Sequence, residues 1–232
     1  MKTIGLIGGM SWESSAEYYR IINEEINRRL GGLHSAKIVL HSVDFEEIEY
    51  CQKTGEWERA GKILADCASS LERAGADFIL ICTNTMHKVI QQMEASVKIP
   101  ILHIADATAL AIQNAKIKKV GLLGTSYTME QDFYKKRVED NGIEVIVPEQ
   151  AARAEVNAII FNELCHGKIE SSSREYYKSV IADMVVQGAE GIVLGCTEIG
   201  LLIKAEDSPV PVFDTTHIHA IKAVEKSLEV GV

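Results

Sequence analysis

Eight short apolar runs alternate along the chain with longer stretches in which apolar residues recur at helical spacing. The apolar runs predict strands at 4–9, 37–43, 78–82, 101–104, 120–124, 144–147, 192–196 and 210–213. The periodic stretches predict helices, among them 16–30, 57–74, 130–141 and 173–187. Strands that alternate with helices in this way predict an α/β fold with parallel sheets flanked by helices.

This pattern occurs twice. Three segments of the first half match three of the second in the same order, at offsets of 116, 113 and 111 residues: KTIGLIGGMS with KKVGLLGTSY, GADFILICTNT with GAEGIVLGCTE, and KIPILHIADA with PVPVFDTTHI. We therefore expect two similar domains related by a pseudo-twofold axis, residues 1–98 with a C-terminal helix at 216–232 returning to them, and residues 99–215. Ligands in open α/β sheets bind beyond the carboxyl ends of the strands, so the active site is expected in the cleft between the domains.

Composition narrows the class of protein. The 232 residues are 47% hydrophobic and 25% charged, as in globular proteins, and no apolar stretch approaches the roughly 18 residues of a membrane span. A net charge of -9 without basic clusters argues against a nucleic-acid partner. The N-terminus reads as a strand and not as a signal peptide, so we expect a cytoplasmic protein that binds a small molecule.

Cysteine and histidine spacing gives no sign of a metal site. The five cysteines form no C-x-x-C motif, so neither a disulfide framework nor a zinc site is predicted. His217 and His219 are two positions apart, which points them in different directions on a helix. His87, His103 and His166 are likewise expected to be structural.

Four loops that follow the repeated strands, 8–11, 83–85, 124–128 and 196–198, are rich in glycine and in neutral hydrogen-bond donors. Together they predict a cradle for an anion, since glycine permits close approach and Ser, Thr and Asn occur at helix starts. Thr128 and Gln131 have capping-box spacing, which predicts a helix start at Thr128. Neither G-x-G-x-x-G nor a P-loop occurs, so carboxylates fit the cradle better than nucleotides.

The repeat also selects between two neighbouring candidates for a catalytic side chain. At the offset of 113, Thr83 aligns with Cys196 and Cys82 aligns with Gly195. Successive side chains of a strand point to opposite faces, so Cys82 and Thr83 should not both reach one site. The alignment selects Thr83.

These motifs resemble those of the cofactor-independent aspartate/glutamate racemase family, in which CNT follows one strand and GCTE follows its counterpart. The similarity runs over essentially the whole chain, with GCTE at 195–198 and TNTMH at 83–87. Most members carry a second cysteine where this chain has Thr83. The chain is closest to the L-aspartate/glutamate-specific racemase branch, where a Thr and a Cys flank the substrate. The resemblance implies Thr83 and Cys196 as catalytic residues, an acidic amino acid as substrate, no pyridoxal or other cofactor, and a homodimer.

Racemisation requires two groups that flank the α-carbon, about 7 Å apart. Cys196 is expected to be the stronger base, with a pKa lowered by a helix N-terminus, and Thr83 the weaker partner, so turnover should be slow and favour one enantiomer. The family's arginine and lysine are replaced around 46–48 and 164–166, which leaves Gln52 or Lys168 to bind the side-chain carboxylate. The residues expected to bind the substrate are Met10, Ser11, Gln52, Asn84, Thr85, Thr125, Tyr127, Thr128, Thr197 and Glu198.

Two other functions fit the same residues. A decarboxylase or a cis-trans isomerase of small diacids also works with one thiol facing a non-cysteine residue. A catalytically idle dicarboxylate-binding protein would keep the cradle without the exchange of the α-hydrogen.

Overall fold

Residues 1–229, which the computed structural model describes, contain eight strands and eleven α-helices. The strands are β1 (Ile4–Gly8), β2 (Ile38–Ser42), β3 (Phe78–Ile81), β4 (Ile101–Leu102), β5 (Lys119–Gly124), β6 (Glu144–Ile146), β7 (Gly191–Gly195) and β8 (Val212–Asp214). The helices are α1 (Trp12–Leu30), α2 (Phe45–Thr54), α3 (Trp57–Arg73), α4 (Ile90–Ser96), α5 (Ile104–Asn114), α6 (Ser126–Glu130), α7 (Asp132–Glu139), α8 (Gln150–Asn162), α9 (Ser171–Val186), α10 (Ile199–Leu202) and α11 (Thr215–Leu228).

Each predicted strand overlaps an observed one, and the differences lie at the ends. The run 101–104 is shortened to β4 because Ile104 already begins α5. The helix predicted at 216–232 is α11, which begins at Thr215 and ends at Leu228; residues 230–232 of that prediction lie outside the described residues. None of the helices within 1–229 is long and apolar enough to cross a membrane.

Two parallel four-stranded sheets share one topology, and the predicted α/β class is confirmed. The strand orders are β2-β1-β3-β4 and β6-β5-β7-β8. Equivalent backbone hydrogen bonds occur at equivalent positions of the two sheets. The Ile79 N–H donates to the Pro100 carbonyl at 3.0 Å, and the Ile192 N–H donates to the Pro211 carbonyl at 2.9 Å. The repeated sequence is therefore a repeated set of strand pairings.

The structure divides into two compact units, which we call the first unit (Met1–Ile104 and the described residues from His219 onward) and the second unit (Ala105–Ile218). The domain boundary expected at 98/99 is earlier than the observed division. The reason is β4, which pairs with Ile79 and Leu80 of β3 and so completes the first sheet. The second division falls after Ile218, within α11, and not at 215/216.

In the first unit, helices cover both faces of the sheet, so alternate strand residues enter two different cores. Ile79 and Ile81 of β3 pack with residues of α2 and α3. Phe78 and Leu80 pack with α1 and α11, and Cys82, directly after the strand, joins them. Two consecutive residues at the carboxyl end of β3 therefore lie on opposite faces of the sheet and have different surroundings.

In the second unit, the same alternation operates on β7. Ile192 and Leu194 pack with residues of α8 and α9, and Cys196 extends this row by one more position. Cys196 therefore follows β7 on the same side of the strand as Ile192 and Leu194. Thr83 follows β3 at the corresponding position, two residues after Ile81.

Candidate active site

The loop after β1 is held by its own hydrogen bonds. Ser15 Oγ accepts from the Gly9 N–H at 2.8 Å and donates to the Ser11 carbonyl at 3.0 Å, while the Ser11 side chain caps α1. Gly9 has φ +94°, and a Cβ there would lie 2.3 Å from the Val43 carbonyl oxygen. Met10 and Ser11, both predicted to bind substrate, are buried in this loop.

Cys82 and Thr83 have different environments, although they are neighbours in sequence. Cys82 is fully buried in the core between the sheet and α11, and burial raises the pKa of its thiol well above the usual range. Thr83 is a polar residue with 9% exposure. Its carbonyl accepts a hydrogen bond from His87 Nδ1 at 2.9 Å. Cys82 is therefore a core residue.

Three more predicted binding residues lie near Thr83 in the first unit. Asn84 and Thr85 begin the short 3₁₀ turn Thr85–Val89 and are buried. Gln52, on α2, is also buried and donates its Nε2–H to Met86 Sδ at 3.1 Å. A thioether is a weak acceptor, so a carboxylate would be a better partner for the Gln52 amide.

The loop after β5 carries the predicted residues Thr125, Tyr127 and Thr128, and here the predicted cap is wrong. Thr125, not Thr128, caps the helix, because its Oγ1 accepts from the Thr128 N–H at 3.4 Å. Thr128 is fully buried inside α6, and its hydroxyl lies 3.2 Å from the Thr125 hydroxyl. Gln131 lies one residue past α6, so it is not at the third position of a helix that begins after Thr128.

Gly195 allows β7 and the loop after β5 to lie close together at Cys196. A Cβ on Gly195 would lie 2.6 Å from Leu122 Cδ1, 3.0 Å from the Leu123 carbonyl oxygen and 3.3 Å from Thr128 Cγ2. Glycine is therefore required directly before Cys196 by packing and not by an unusual φ.

Cys196 is 8% exposed, and its thiol donates to Glu198 Oε2 at 2.9 Å. Burial raises the pKa of Cys196 well above the usual range, and the negative charge of Glu198 raises it further. The expectation of a lowered pKa is thus wrong. α10 begins three residues after Cys196 and has only four residues, so its dipole does not offset the burial of the thiol.

Thr197 and Glu198 complete this group of the second unit. The Thr197 hydroxyl donates to the same oxygen of Glu198, at 2.8 Å. The Glu198 carboxylate is buried and accepts from a thiol and a hydroxyl, so it resembles a proton acceptor for Cys196 more than a ligand for an anionic substrate.

Lys168, the second residue expected to bind the side-chain carboxylate, is exposed. Its backbone N–H donates to the Glu163 carbonyl at 3.0 Å. Of the two candidates, only Gln52 is buried, and it contacts Met86 of the turn that follows Thr83. No group of three or more His, Cys, Asp or Glu side chains among the described residues is placed to hold a metal ion.

The predicted residues therefore form two groups, one in each unit. The first unit places Met10, Ser11, Thr83, Asn84 and Thr85 at the carboxyl ends of β1 and β3, with Gln52 of α2 in contact with Met86. The second unit places Thr125, Tyr127, Thr128, Cys196, Thr197 and Glu198 at the carboxyl ends of β5 and β7. The sequence analysis predicted no site role for His87, which contacts the Thr83 carbonyl, and it predicted Glu198 as a substrate-binding residue, which here accepts from the Cys196 thiol. The spacing of four residues between Thr83 and His87 was the available signal.

The family model described as Asp/Glu/Hydantoin racemase matches residues 7–223. The chain belongs to this family. The match covers both groups of predicted residues and all of the strands except the first three residues of β1. Membership supports the coarse function, an isomerase that acts as an amino-acid racemase.

Individual relatives agree with this assignment. A crystal structure of a Yersinia pestis protein provisionally described as an Asp/Glu racemase is 56% identical, with a TM-score of 0.92, and the alignment covers 99% of this chain and 100% of that one. An aspartate racemase homologue from Pyrococcus horikoshii is 39% identical over the same shares, with a TM-score of 0.84. The broad specificity amino-acid racemase RacX of Bacillus subtilis is 25% identical over 72% of each chain.

Proposed function

We propose that the protein interconverts the L- and D-forms of aspartate or glutamate without a cofactor, with Cys196 and Thr83 acting on opposite faces of the α-carbon. The observation that carries the proposal is the pairing of the Cys196 thiol with the Glu198 carboxylate at 2.9 Å, directly after β7. The equivalent position after β3 holds Thr83. The relatives named for acidic amino acids support the substrate class.

Glu198 is the proposed acceptor for the proton of the Cys196 thiol. In the proposed cycle the Cys196 S–H proton passes to Glu198 Oε2, and the resulting thiolate removes the α-proton of the substrate from one face. The Thr83 hydroxyl, or a water molecule, supplies a proton to the other face, and the proton held by Glu198 returns through solvent to the oxygen that gave it. The substrate's ammonium group brings a positive charge, which lowers the pKa of a nearby thiol and so assists the first transfer.

The two acid-base groups are unequal, and this predicts unequal rates. A threonine hydroxyl is a far weaker acid than a thiol, so proton transfer at Thr83 is the slower event. We propose that turnover is slow and that one enantiomer is used in preference. Gln52, together with hydroxyl and amide groups of the loops that follow the central strands, then binds the carboxylates of the substrate. No arginine is needed for this.

Exchange of the α-hydrogen in heavy water, followed by proton NMR with both enantiomers of aspartate and glutamate, tests the proposal. Cys196→Ala should abolish the exchange, and Thr83→Ala should slow it by about 10²-fold or more. Cys82→Ala is the matched control: it removes the adjacent buried thiol, costs about 1 to 2 kcal/mol of stability and keeps the exchange. Unchanged exchange in Cys196→Ala would refute the mechanism.

Glu198→Gln tests the proton acceptor separately. The amide keeps the size of the side chain and can still accept from the thiol, but it cannot take up the proton. We expect exchange to fall by about 10²-fold with little change in stability. Glu190→Gln is the control, since Glu190 precedes the other end of β7 and accepts from the Lys118 N–H.

Two other outcomes would replace the proposal. Release of carbon dioxide from a small diacid, without α-hydrogen exchange of amino acids, would indicate a decarboxylase. Binding of aspartate or glutamate by calorimetry, with no exchange of either enantiomer, would indicate an idle binding protein.

A further inference from the structure

Three buried histidines lie together behind the loop that carries Thr83. The rings of His87 and His103 have centroids 4.4 Å apart, and those of His87 and His219 are 6.1 Å apart. All three side chains are less than 5% exposed. They come from the 3₁₀ turn after Thr83, the segment after β4, and α11, so distant parts of the first unit converge here.

The hydrogen bonds of His87 determine its tautomer. Its Nε2 lies 3.2 Å from the Ile104 N–H, which can only donate, so Nε2 carries no proton. Its Nδ1 lies 2.9 Å from the Thr83 carbonyl oxygen, which can only accept. A neutral ring protonated on Nδ1 satisfies both contacts. A protonated imidazolium would place two N–H groups against each other.

His219 supports this arrangement from α11. Its Nε2 lies 2.9 Å from the Leu102 carbonyl oxygen and must donate, so its Nδ1 accepts from the Tyr18 hydroxyl at 2.8 Å. Burial lowers the pKa of His219 to about 3, and the proximity of His87 contributes. The His219 ring therefore stays neutral and holds the backbone at Leu102. Two residues later in the same segment, the Ile104 N–H donates to His87.

The result is a fixed orientation for the peptide group between Thr83 and Asn84. Rotating that peptide would turn the Thr83 carbonyl away from His87 and would also move the backbone beneath the Thr83 hydroxyl. Small misplacements of a reacting group, of about 1 Å, cost up to about 10²-fold in rate. The hydrogen bond from His87 is thus suited to holding Thr83 at a defined position.

We infer that His87 is a positioning residue, which holds the Thr83 hydroxyl in place by donating Nδ1–H to the Thr83 carbonyl. The inference rests on the proposed function, since it assumes that Thr83 contacts the substrate. It assigns His87 no contact with the substrate. The backbone of Ile104 and the pair formed by Tyr18 and His219 keep the ring in the required tautomer.

A pair of substitutions separates the two contacts of His87. His87→Asn places an amide N–H near the position of Nδ1, which keeps a donor for the Thr83 carbonyl and loses the acceptor for the Ile104 N–H. His87→Gln places its amide near Nε2, which keeps that acceptor and loses the donor. Asn is one methylene shorter than Gln and leaves the larger cavity, so the stability of each variant is measured and kcat is compared at a temperature where both are folded.

The inference predicts that kcat for racemisation stays within about 5-fold of the parent in His87→Asn and falls about 10- to 100-fold in His87→Gln. KM should change by less than about 3-fold in both, because His87 does not touch the substrate. Equal losses of kcat in the two variants, at a temperature where both are folded, would overturn the inference, and so would a loss seen only in His87→Asn.

Nitrogen NMR of the parent protein gives a readout that needs no activity and no variant. Ring nitrogen shifts should show His87 protonated on Nδ1 and bare on Nε2, and the opposite tautomer would overturn the inference. Thr83→Ala separates this failure from that of the proposed function. If Thr83→Ala exchanges as fast as the parent, the catalytic role of Thr83 fails; if it loses exchange while the two His87 variants behave alike, only the positioning role fails.

Discussion

Cys82 and Cys196 are both buried thiols at the carboxyl end of a central strand, and burial raises the pKa of both. What distinguishes them is one neighbour. Cys82 lies among Phe78, Leu80 and residues of α11, whereas the thiol of Cys196 donates to the Glu198 carboxylate. At the scale of single residues, the two thiols differ by the carboxylate that lies within hydrogen-bond distance of Cys196.

His219 provides a residue-scale prediction about pH. The folded protein keeps this histidine neutral down to about pH 3, whereas the unfolded chain protonates it near pH 6.5. Unfolding therefore takes up a proton below about pH 6.5, and stability is lost as the pH falls from 6.5 toward 3, by up to about 1.4 kcal/mol per pH unit. His219→Gln keeps a donor for the Leu102 carbonyl and should remove this dependence.

Urea unfolding at pH 7, 5.5 and 4.5 measures the effect. The gap in unfolding free energy between the parent and His219→Gln should narrow by about 2 to 3 kcal/mol over this range. His217→Gln, exposed on the same helix, is the control and should keep the parent's slope. Parallel curves for the parent and His219→Gln would contradict the prediction.

At the residue scale, the sequence selected Thr83 over Cys82 because strand alternation and the internal repeat are local properties of the chain. The same reasoning gave the wrong direction for the pKa of Cys196. A pKa depends on burial and on neighbouring charges, and the length of α10 and the aim of the Glu198 side chain are visible only in the folded protein.

At the scale of elements, each candidate catalytic residue follows a strand and precedes a very short helix or turn. These short elements cannot be held by their own helical bonds alone, so packing must fix them. Gly195 is the clearest case, because the side chains and backbone of β5 and α6 occupy the space where its Cβ would be.

Gly195→Ala should therefore destabilise the protein by about 1 to 3 kcal/mol and displace Cys196 enough to slow α-hydrogen exchange. The contact with the Leu123 carbonyl is with backbone, which cannot rotate away. Gly61→Ala is the matched control. A Cβ at position 61 would lie nearest to the end of the flexible Gln92 side chain. Alanine is also more favourable than glycine inside a helix such as α3, by up to about 1 kcal/mol. Thermal unfolding and exchange NMR of both variants check this prediction, and equal effects would contradict it.

Element boundaries show where local signals compete. Thr125 and Thr128 are both good capping residues, and the capping-box spacing favoured Thr128. The structure uses Thr125, which directly follows β5, because the chain must turn away from the sheet as soon as the strand ends. The spacing of residues alone does not reveal the residue at which a strand ends.

At the scale of the whole molecule, the first unit depends on a helix that is remote in sequence. Ala220, Ala223 and Val224 of α11 are fully buried in the cluster that contains Ile4, Leu6 and Cys82. The second unit has its own core on β7, α8 and α9. The two cores should respond differently to the loss of α11.

Truncation after Ile218 tests this difference by amide hydrogen exchange. Amides of β1 and β3 should lose most of their protection, because the α11 face of their sheet becomes exposed, while amides of β5 and β7 keep theirs. Ala223→Asp, which buries a charge at the same face, should give the same pattern if the truncated chain precipitates. Equal protection in both sheets would contradict the prediction.

The sequence by itself determined the positions of the strands, the α/β class, the repeated halves and the residues at the strand ends, because hydrophobic period and strand alternation are local properties of the chain. The tertiary structure decided which polar groups contact those residues, such as the Glu198 carboxylate at the Cys196 thiol. The hydrogen bond between Tyr18 and His219 joins residues 201 positions apart, and the His219 ring lies against His87, whose Nδ1 contacts the Thr83 carbonyl. Hydrogen bonds and pKa values arise from such distances in space, which a linear pattern does not contain.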